Sequence, residues 1–288
     1  MRETQIIERI RRMAERGHRD RSLVKTIGDD CAILRPKVNE DLVFTSDFVL
    51  EDRHFTLETH QAADIGHKAL ARSLSDLAAM GAEPVFCMVS LAVPVRASSW
   101  VTQFYKGLLA LAQRFSVTLA GGDLARFDKV IADVICCGRV PRGKALLRSG
   151  AKPGDRIYVT GELGRPWRRH LRPEPRIAAG LALRRLGASA CIDVSDGLAL
   201  DLQRLCLESR VSAELTSDLP IAHGASLQNA LHGGEDYELL FTAAPKRRIP
   251  KHIAGLAITK IGTVTRARAG QIKLDGRRLK PLGFDHFQ

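Results

Sequence analysis

Residues Ala62–Pro94 read AADIGHKALARSLSDLAAMGAEPVFCMVSLAVP, and this stretch decides the fold. In its first part, Ala62–Met80, the residues Ile65, Ala69, Leu70, Ser73, Leu74 and Leu77 recur at three- and four-residue spacing. That period predicts an amphipathic helix, stopped by Gly81. The second part, Val85–Val93 between Pro84 and Pro94, carries apolar residues on both faces of an extended chain. Such a strand belongs in the centre of a sheet or against a partner subunit.

Working outward, residues 3–16 predict a polar helix, and Asp41–Leu50 a strand interrupted by its own polar tip, Thr45-Ser46-Asp47. Trp100, Phe104, Leu108, Leu111 and Phe115 mark a further helix. Strands follow at Val117–Ala120 and Val130–Cys137, with Gly121-Gly122-Asp123 read as the turn between them. Pro141, Gly143, Gly150, Pro153 and Gly154 then cluster, so the expected domains are 1–140 and 141–288. The second half restarts with a strand (Arg156–Thr160), a helix (Arg176–Leu186, ended by Gly187) and a strand (Cys191–Val194). A helix with Leu198, Leu202 and Leu205 in phase comes next, then strands near Glu238–Thr242 and Ile258–Val264. Segregated blocks of strand and helix favour α+β over a strictly alternating parallel sheet.

The chain has 288 residues, 45% of them hydrophobic, and a formal charge of +12. That charge favours acidic partners such as nucleotides and phosphorylated metabolites. Only 5% of residues are aromatic, with no aromatic–basic interleaving, so nucleic acid is not the expected partner. Cys31, Cys87, Cys136, Cys137, Cys191 and Cys206 show no CxxC spacing and read as thiols of a reducing compartment. With no apolar leader and no membrane-length apolar run, the expectation is a cytoplasmic protein without a membrane partner.

Against this basic background stand acidic clusters among small residues. They are Ile27-Gly28-Asp29-Asp30, Thr45-Ser46-Asp47, Ser75-Asp76, Gly121-Gly122-Asp123, Asp193-Val194-Ser195-Asp196-Gly197 and Gly233-Gly234-Glu235-Asp236. Carboxylates beside glycine or serine supply the hard oxygens that Mg²⁺ takes, and glycine allows close approach of a phosphate to backbone. One such cluster reads as a turn; six suggest one composite metal–phosphate site. Ser195-Asp196-Gly197 also reads as a helix N-cap, and His18-Arg19-Asp20 as a solvated helix end. His54 stands evenly between an exposed loop histidine and a ligand contact. Gly138–Ala145 nearly spells a phosphate loop but ends in Ala where Ser or Thr must reach the metal, and reads as coincidence. Gly-x-Ser-x-Gly, HExxH and paired-cysteine patterns are absent from the sequence, which removes serine hydrolases and zinc enzymes.

The ordered motifs IGDDCAIL, TSDFVLEDRHF, KALARSLSDLAAMGAEP, LAGGD, LLRSGAKPGDRIYVTGELG, RHLRPEPR, IDVSDGL, GGEDYELLF and GFDHF resemble the thiamine-monophosphate kinases. These lie within the superfamily that includes aminoimidazole ribonucleotide synthetase. The resemblance runs from about residue 5 to the C-terminus. It implies an N-terminal α/β domain that dimerises through its sheet and a C-terminal α/β domain. It also implies a nucleotide and several Mg²⁺ ions in the cleft between them. Metal positions fall on Asp30, Thr45, Ser46, Asp47, Asp76, Asp123, Asp193 and Asp196. Nucleotide-contacting positions fall on Gly122, Asp123, Arg148 and Ser195, and thiamine phosphate positions on His54, Glu235 and Phe284. One departure stands out. Only Arg165-Pro166-Trp167-Arg168 separates Gly161–Gly164 from Arg169–Arg176, where the family usually carries a longer segment with a helix.

The implied activity is ATP-dependent phosphorylation of thiamine monophosphate to thiamine diphosphate, as a homodimer. The acceptor phosphate has a second pKa of about 6, so it is largely ionised at neutral pH and needs no protein base. Metal ions and positioning are left as the means of catalysis, and direct in-line transfer is expected. The alternatives are another ATP-using enzyme of the superfamily, aminoimidazole ribonucleotide synthetase-like, or a non-catalytic nucleotide-binding homologue. A selenophosphate synthetase should carry a reactive Cys before Cys31, and a hydrogenase-maturation homologue a cysteine-bearing C-terminal tail; the sequence has neither.

Overall fold

The computed structural model describes residues 3–27, 31–94, 98–164 and 171–284. Two compact units divide the chain: Met1–Leu77 with Glu83–Gly143, and Ala78–Ala82 with Lys144–Gln288.

The first unit holds α1 (Glu3–Glu15), β1 (Leu23–Lys25), β2 (Ile33–Leu34), β3 (Glu40–Leu50), α2 (Ala62–Ala79), β4 (Glu83–Val93), α3 (Ser98–Arg114), β5 (Thr118–Arg126) and β6 (Ile131–Pro141). Strands β1 and β2 pair by themselves, and the main sheet runs β3-β6-β4-β5. As its two-sided apolar pattern predicts, β4 is internal, antiparallel to β6 and parallel to β5. Helices α2 and α3 meet at glycine. A Cβ on Gly66 would stand 2.0 Å from the Phe104 carbonyl oxygen, and one on Gly107 1.8 Å from that of Ala63.

Three sequence expectations change here. The Thr45-Ser46-Asp47 triplet does not interrupt β3, because its ladder with β6 is unbroken from Glu40↔Pro141 to Leu50↔Ile131. Alternation explains the polar residues: Phe44, Ser46 and Phe48 are exposed, while Thr45, Asp47 and Val49 turn inward toward α2. Gly121-Gly122-Asp123 is no turn either; it lies within β5, paired with Met88, Val89 and Ser90. Gly122 has φ 151°, and a Cβ there would meet the Val89 carbonyl oxygen at 2.0 Å, so strand contact rather than chain reversal demands the glycine. Asp20, expected in solvent, is buried. It accepts from the Ser22 amide (2.8 Å) and hydroxyl (2.6 Å) and pairs with Arg139 at 3.3 Å.

The second unit holds β7 (Arg156–Thr160), α4 (Ile177–Leu186), β8 (Ala190–Asp193), α5 (Leu198–Glu208), β9 (Ser212–Leu215), α6 (Leu227–His232), β10 (Leu239–Ala243), β11 (His252–Ile253), β12 (Leu256–Thr265), β13 (Ile272–Leu274) and β14 (Arg277–Leu279). Its sheet runs β14-β13-β9-β12-β7-β10-β8, with β11 on β12. Only β9 and β13 pair in parallel among these strands. Leu198, Leu202 and Leu205 of α5 are fully buried against Ile157, Ile192 and Leu240 of that sheet. Each such side chain contributes about 1.5–3 kcal/mol of burial. Gly187 ends α4 in the left-handed conformation, as expected.

Ser195 and Asp196 do not cap α5. The N-cap is Gly197, and the capping bonds run in reverse: Asp201, inside the helix, accepts the amides of Ser195 and Asp196 at 3.0 Å each.

Candidate active site

On the α2 side of the first sheet, β3 aims Thr45 and Asp47 at Asp76, which α2 carries. The Thr45 hydroxyl donates to the Asp76 carboxylate. Burial first, and the neighbouring Asp76 charge second, push the Asp47 carboxyl up to about 6. Arg72, one turn before Asp76, opposes this from 3.6 Å. Two carboxylates and a hydroxyl therefore face each other under like-charge pressure, a donor set that fits a hard divalent cation. Among the described residues no three His, Cys, Asp or Glu side chains form a metal-sized group. Asp30, the other ligand expected in this unit's N-terminal part, lies outside the described residues.

Strand alternation puts the remaining expected ligands of this unit on the opposite face. The Ser46 hydroxyl donates to Asp133 at 2.6 Å. Asp133 pairs with Ser90, and Ser90 with the exposed Asp123 of the edge strand β5. A cavity of about 790 Å³ opens beside this edge, walled by Leu23, Phe86, Met88, Tyr105 and Gly121–Asp123.

In the second unit, backbone bonds gather residues distant in the chain. The Glu235 amide donates to the Ser195 carbonyl (2.7 Å), and the Phe284 amide to that of Asp196 (3.0 Å). Asp193, buried, ends β8 just before them. Arg204 bridges Asp196 and Asp201, with Asp201 at 2.8 Å. Burial lifts the Asp201 carboxyl to about 6 despite two amide donors and that arginine.

The whole-chain comparison decides the family. Residues 28–140 match the family model described as AIR synthase related protein, N-terminal domain. The chain is 36% identical to the thiamine-monophosphate kinase of Bacillus subtilis, over 91% of this chain and 93% of that one. The chain belongs to the thiamine-monophosphate kinase family.

Solved structures agree. A thiamine-monophosphate kinase from Stenotrophomonas maltophilia matches with a TM-score of 0.85 at 36% identity, covering 97% of this chain and 98% of that one. AaThiL complexed with AMPPCP and TMP matches at 0.79 and 30%, covering 100% and 99%.

Among the residues expected to serve a thiamine-monophosphate kinase, the structure brings together Thr45, Asp47 and Asp76 in one place. It brings together Asp193, Ser195, Asp196, Glu235 and Phe284 in another. Arg148 is not beside the latter group. Its carbonyl accepts from Ser209, the C-cap of α5, a helix length of roughly 16 Å from the Gly197 end. His54 is buried rather than exposed, in the turn after β3. Sequence reasoning missed Arg72, Asp133, Asp201 and Arg204. Of these, Arg72, four residues before Asp76 in the predicted helix, and the i,i+3 pair of Asp201 and Arg204 carried a signal. Nothing in the chain links Ser46 to Asp133 before the strands pair.

Proposed function

We propose that this protein transfers the γ-phosphoryl group of ATP to the phosphate of thiamine monophosphate, giving thiamine diphosphate and ADP. The observation that carries this reading is the likeness, over the whole chain, to a protein complexed with AMPPCP and TMP. An oxygen of the ionised acceptor phosphate attacks the γ-phosphorus in line as the bond to the bridging oxygen of ADP breaks. No protein base is needed, since the acceptor is already largely deprotonated at neutral pH.

Thr45, Asp47 and Asp76 would hold one Mg²⁺, with Asp30, Asp193 and Asp196 as further assigned ligands, while Ser46 and Asp123, on the other face of the sheet, would serve a separate cation. When bound, such cations neutralise the two polyanions and the charge of the transferring group. The chain's own residues do the positioning. Thr45 orients the Asp76 carboxylate, and Arg204 with Asp201 fixes Asp196. The 790 Å³ cavity has the size and apolar wall that suit a nucleotide base, beside Gly122. Arg148 serves as a phosphate clamp. Glu235 offers a counter-charge to the thiazolium, and Phe284, 41% exposed, a flat face for it.

We further infer a homodimer through the open face of the first sheet, where Phe44 and Phe48 are 61% and 56% exposed. The reading also places the enzyme in the cytoplasm, in keeping with six free cysteines. Two experiments test the mechanism. ATP chiral at the γ-phosphorus should give inverted product; retention would require a covalent intermediate and contradict direct transfer. Phe284→Ala should raise KM for thiamine monophosphate far more than KM for ATP, and an equal rise would reduce Phe284 to a chain anchor.

A further inference from the structure

Strand β3 and helix α2 meet in pairs that run in opposite chain order. Thr45 donates to Asp76, Asp47 stands 3.6 Å from Arg72, and the turn after β3 receives the Lys68 ammonium on the His54 carbonyl at 3.0 Å. The steps match: two strand residues advance about 6.6 Å and four helix residues about 6 Å. Going from Thr45 to Asp47 on the strand therefore corresponds to going from Asp76 back to Arg72 on the helix.

Arg72 is the unexpected member of this row. Its side chain is 15% exposed, and a guanidinium keeps its charge at any physiological pH. Burying that charge is costly unless anions face it, and Asp47 and Asp76 supply them. The converse holds as well, since two facing carboxylates repel each other unless a cation stands by. Yet a guanidinium fixed 3.6 Å from Asp47 also repels any divalent cation that Asp47 binds. A site that kept its metal permanently would gain nothing from this arginine. A site whose metal comes and goes needs a positive charge that stays.

We propose that Arg72 is a positioning residue acting through Asp47: its fixed charge holds the acid pair in place between turnovers and weakens the pair's grip on Mg²⁺, so that the metal exchanges instead of staying resident. This inference rests on the reading of Thr45, Asp47 and Asp76 as a Mg²⁺ site.

Mn²⁺ titration followed by electron paramagnetic resonance reads the affinity on the full-length protein without nucleotide. At pH 8 the solution lies well above the raised range of the Asp47 carboxyl. Asp76→Asn identifies the site, as the Mn²⁺ whose binding it weakens. Arg72→Met should tighten that same Mn²⁺ about tenfold or more, the scale on which one charge acts on another within about 4–6 Å. In metal-free buffer Arg72→Met should nonetheless melt below wild type, because the two carboxylates lose their counter-charge. Arg72→Lys keeps the charge and should stay closer to wild type than Arg72→Met in Mn²⁺ affinity. A packing role alone would lower Tm and leave Mn²⁺ affinity unchanged or weaker, and that result overturns the proposal. If Asp76→Asn weakens no Mn²⁺, the metal reading fails and this inference falls with it. If Asp76→Asn weakens one and Arg72→Met tightens none, the metal reading stands and the role given to Arg72 is wrong.

Discussion

Thr45 and Asp76 lie 31 residues apart in the chain, yet the hydroxyl of one donates to the carboxylate of the other. One belongs to a strand and the other to a helix, and the bond fixes the carboxylate that faces Asp47. Burial first, and the facing Asp76 charge second, hold the Asp47 carboxyl up at about 6.

Asp76→Asn should therefore keep the fold and lose turnover. The expected loss is about 10²–10³-fold in kcat, typical for removal of one preorganised electrostatic group. Without Mg²⁺ the variant should melt no lower than wild type, because repulsion with Asp47 is relieved. Normal turnover, or a full Mg²⁺-nucleotide rise in Tm, would remove Asp76 from the metal site.

Asp47 also sets a pH dependence. Its folded pKa is raised from 3.8 to about 6, so its contribution to stability is intact below about 3.8 and is lost as pH rises through about 6. The full loss is on the order of 3 kcal/mol by neutral pH. In metal-free buffer, Tm of wild type should fall relative to Asp47→Asn between pH 4 and pH 7, and Mg²⁺ should close the gap. Parallel melting profiles in metal-free buffer would show that Asp47 is not under charge pressure.

Much of the fold could be read directly. The period of Ile65, Leu70, Leu74 and Leu77 marked α2, and the doubly apolar Val85–Val93 marked an internal strand. The misreadings share one cause. Gly121-Gly122 and Thr45-Ser46-Asp47 look like chain punctuation when read locally, but contacts made by distant strands set their conformation. Short strands such as β9, β13 and β14 are too brief to show a period. For the site, residue types were legible and faces were not. Nothing local tells Thr45, turned toward Asp76, from Ser46, turned toward Asp133.

Gly122→Ala tests that account of β5. The added methyl would sit 2.0 Å from the Val89 carbonyl oxygen at φ 151°, so a loss of about 3 kcal/mol or more is expected. Chemical denaturation reads this directly. A variant within about 0.5 kcal/mol of wild type would mean the strands do not approach so closely.

Glu238 and Arg176 offer a stability test away from the reacting groups. The carboxylate is fully buried, held by Thr160 at 2.6 Å and by two bonds from Arg176 at 2.6 and 2.9 Å. Arg176→Met removes both guanidinium bonds to that buried carboxylate and should cost about 3–5 kcal/mol. Adding Glu238→Gln should restore more than half of the loss. A double variant as unstable as the single one would show that Arg176 matters for packing instead.

The most direct test of the central claim is ³¹P NMR of the purified protein with ATP, Mg²⁺ and one acceptor at a time. With thiamine monophosphate, the account predicts diphosphate signals of thiamine diphosphate growing in step with ADP, and none when Mg²⁺ is replaced by a chelator. Free thiamine and aminoimidazole precursors should give no phosphorylated product. Product from an aminoimidazole precursor but not from thiamine monophosphate, or no transfer to any acceptor while ATP still binds, would contradict it.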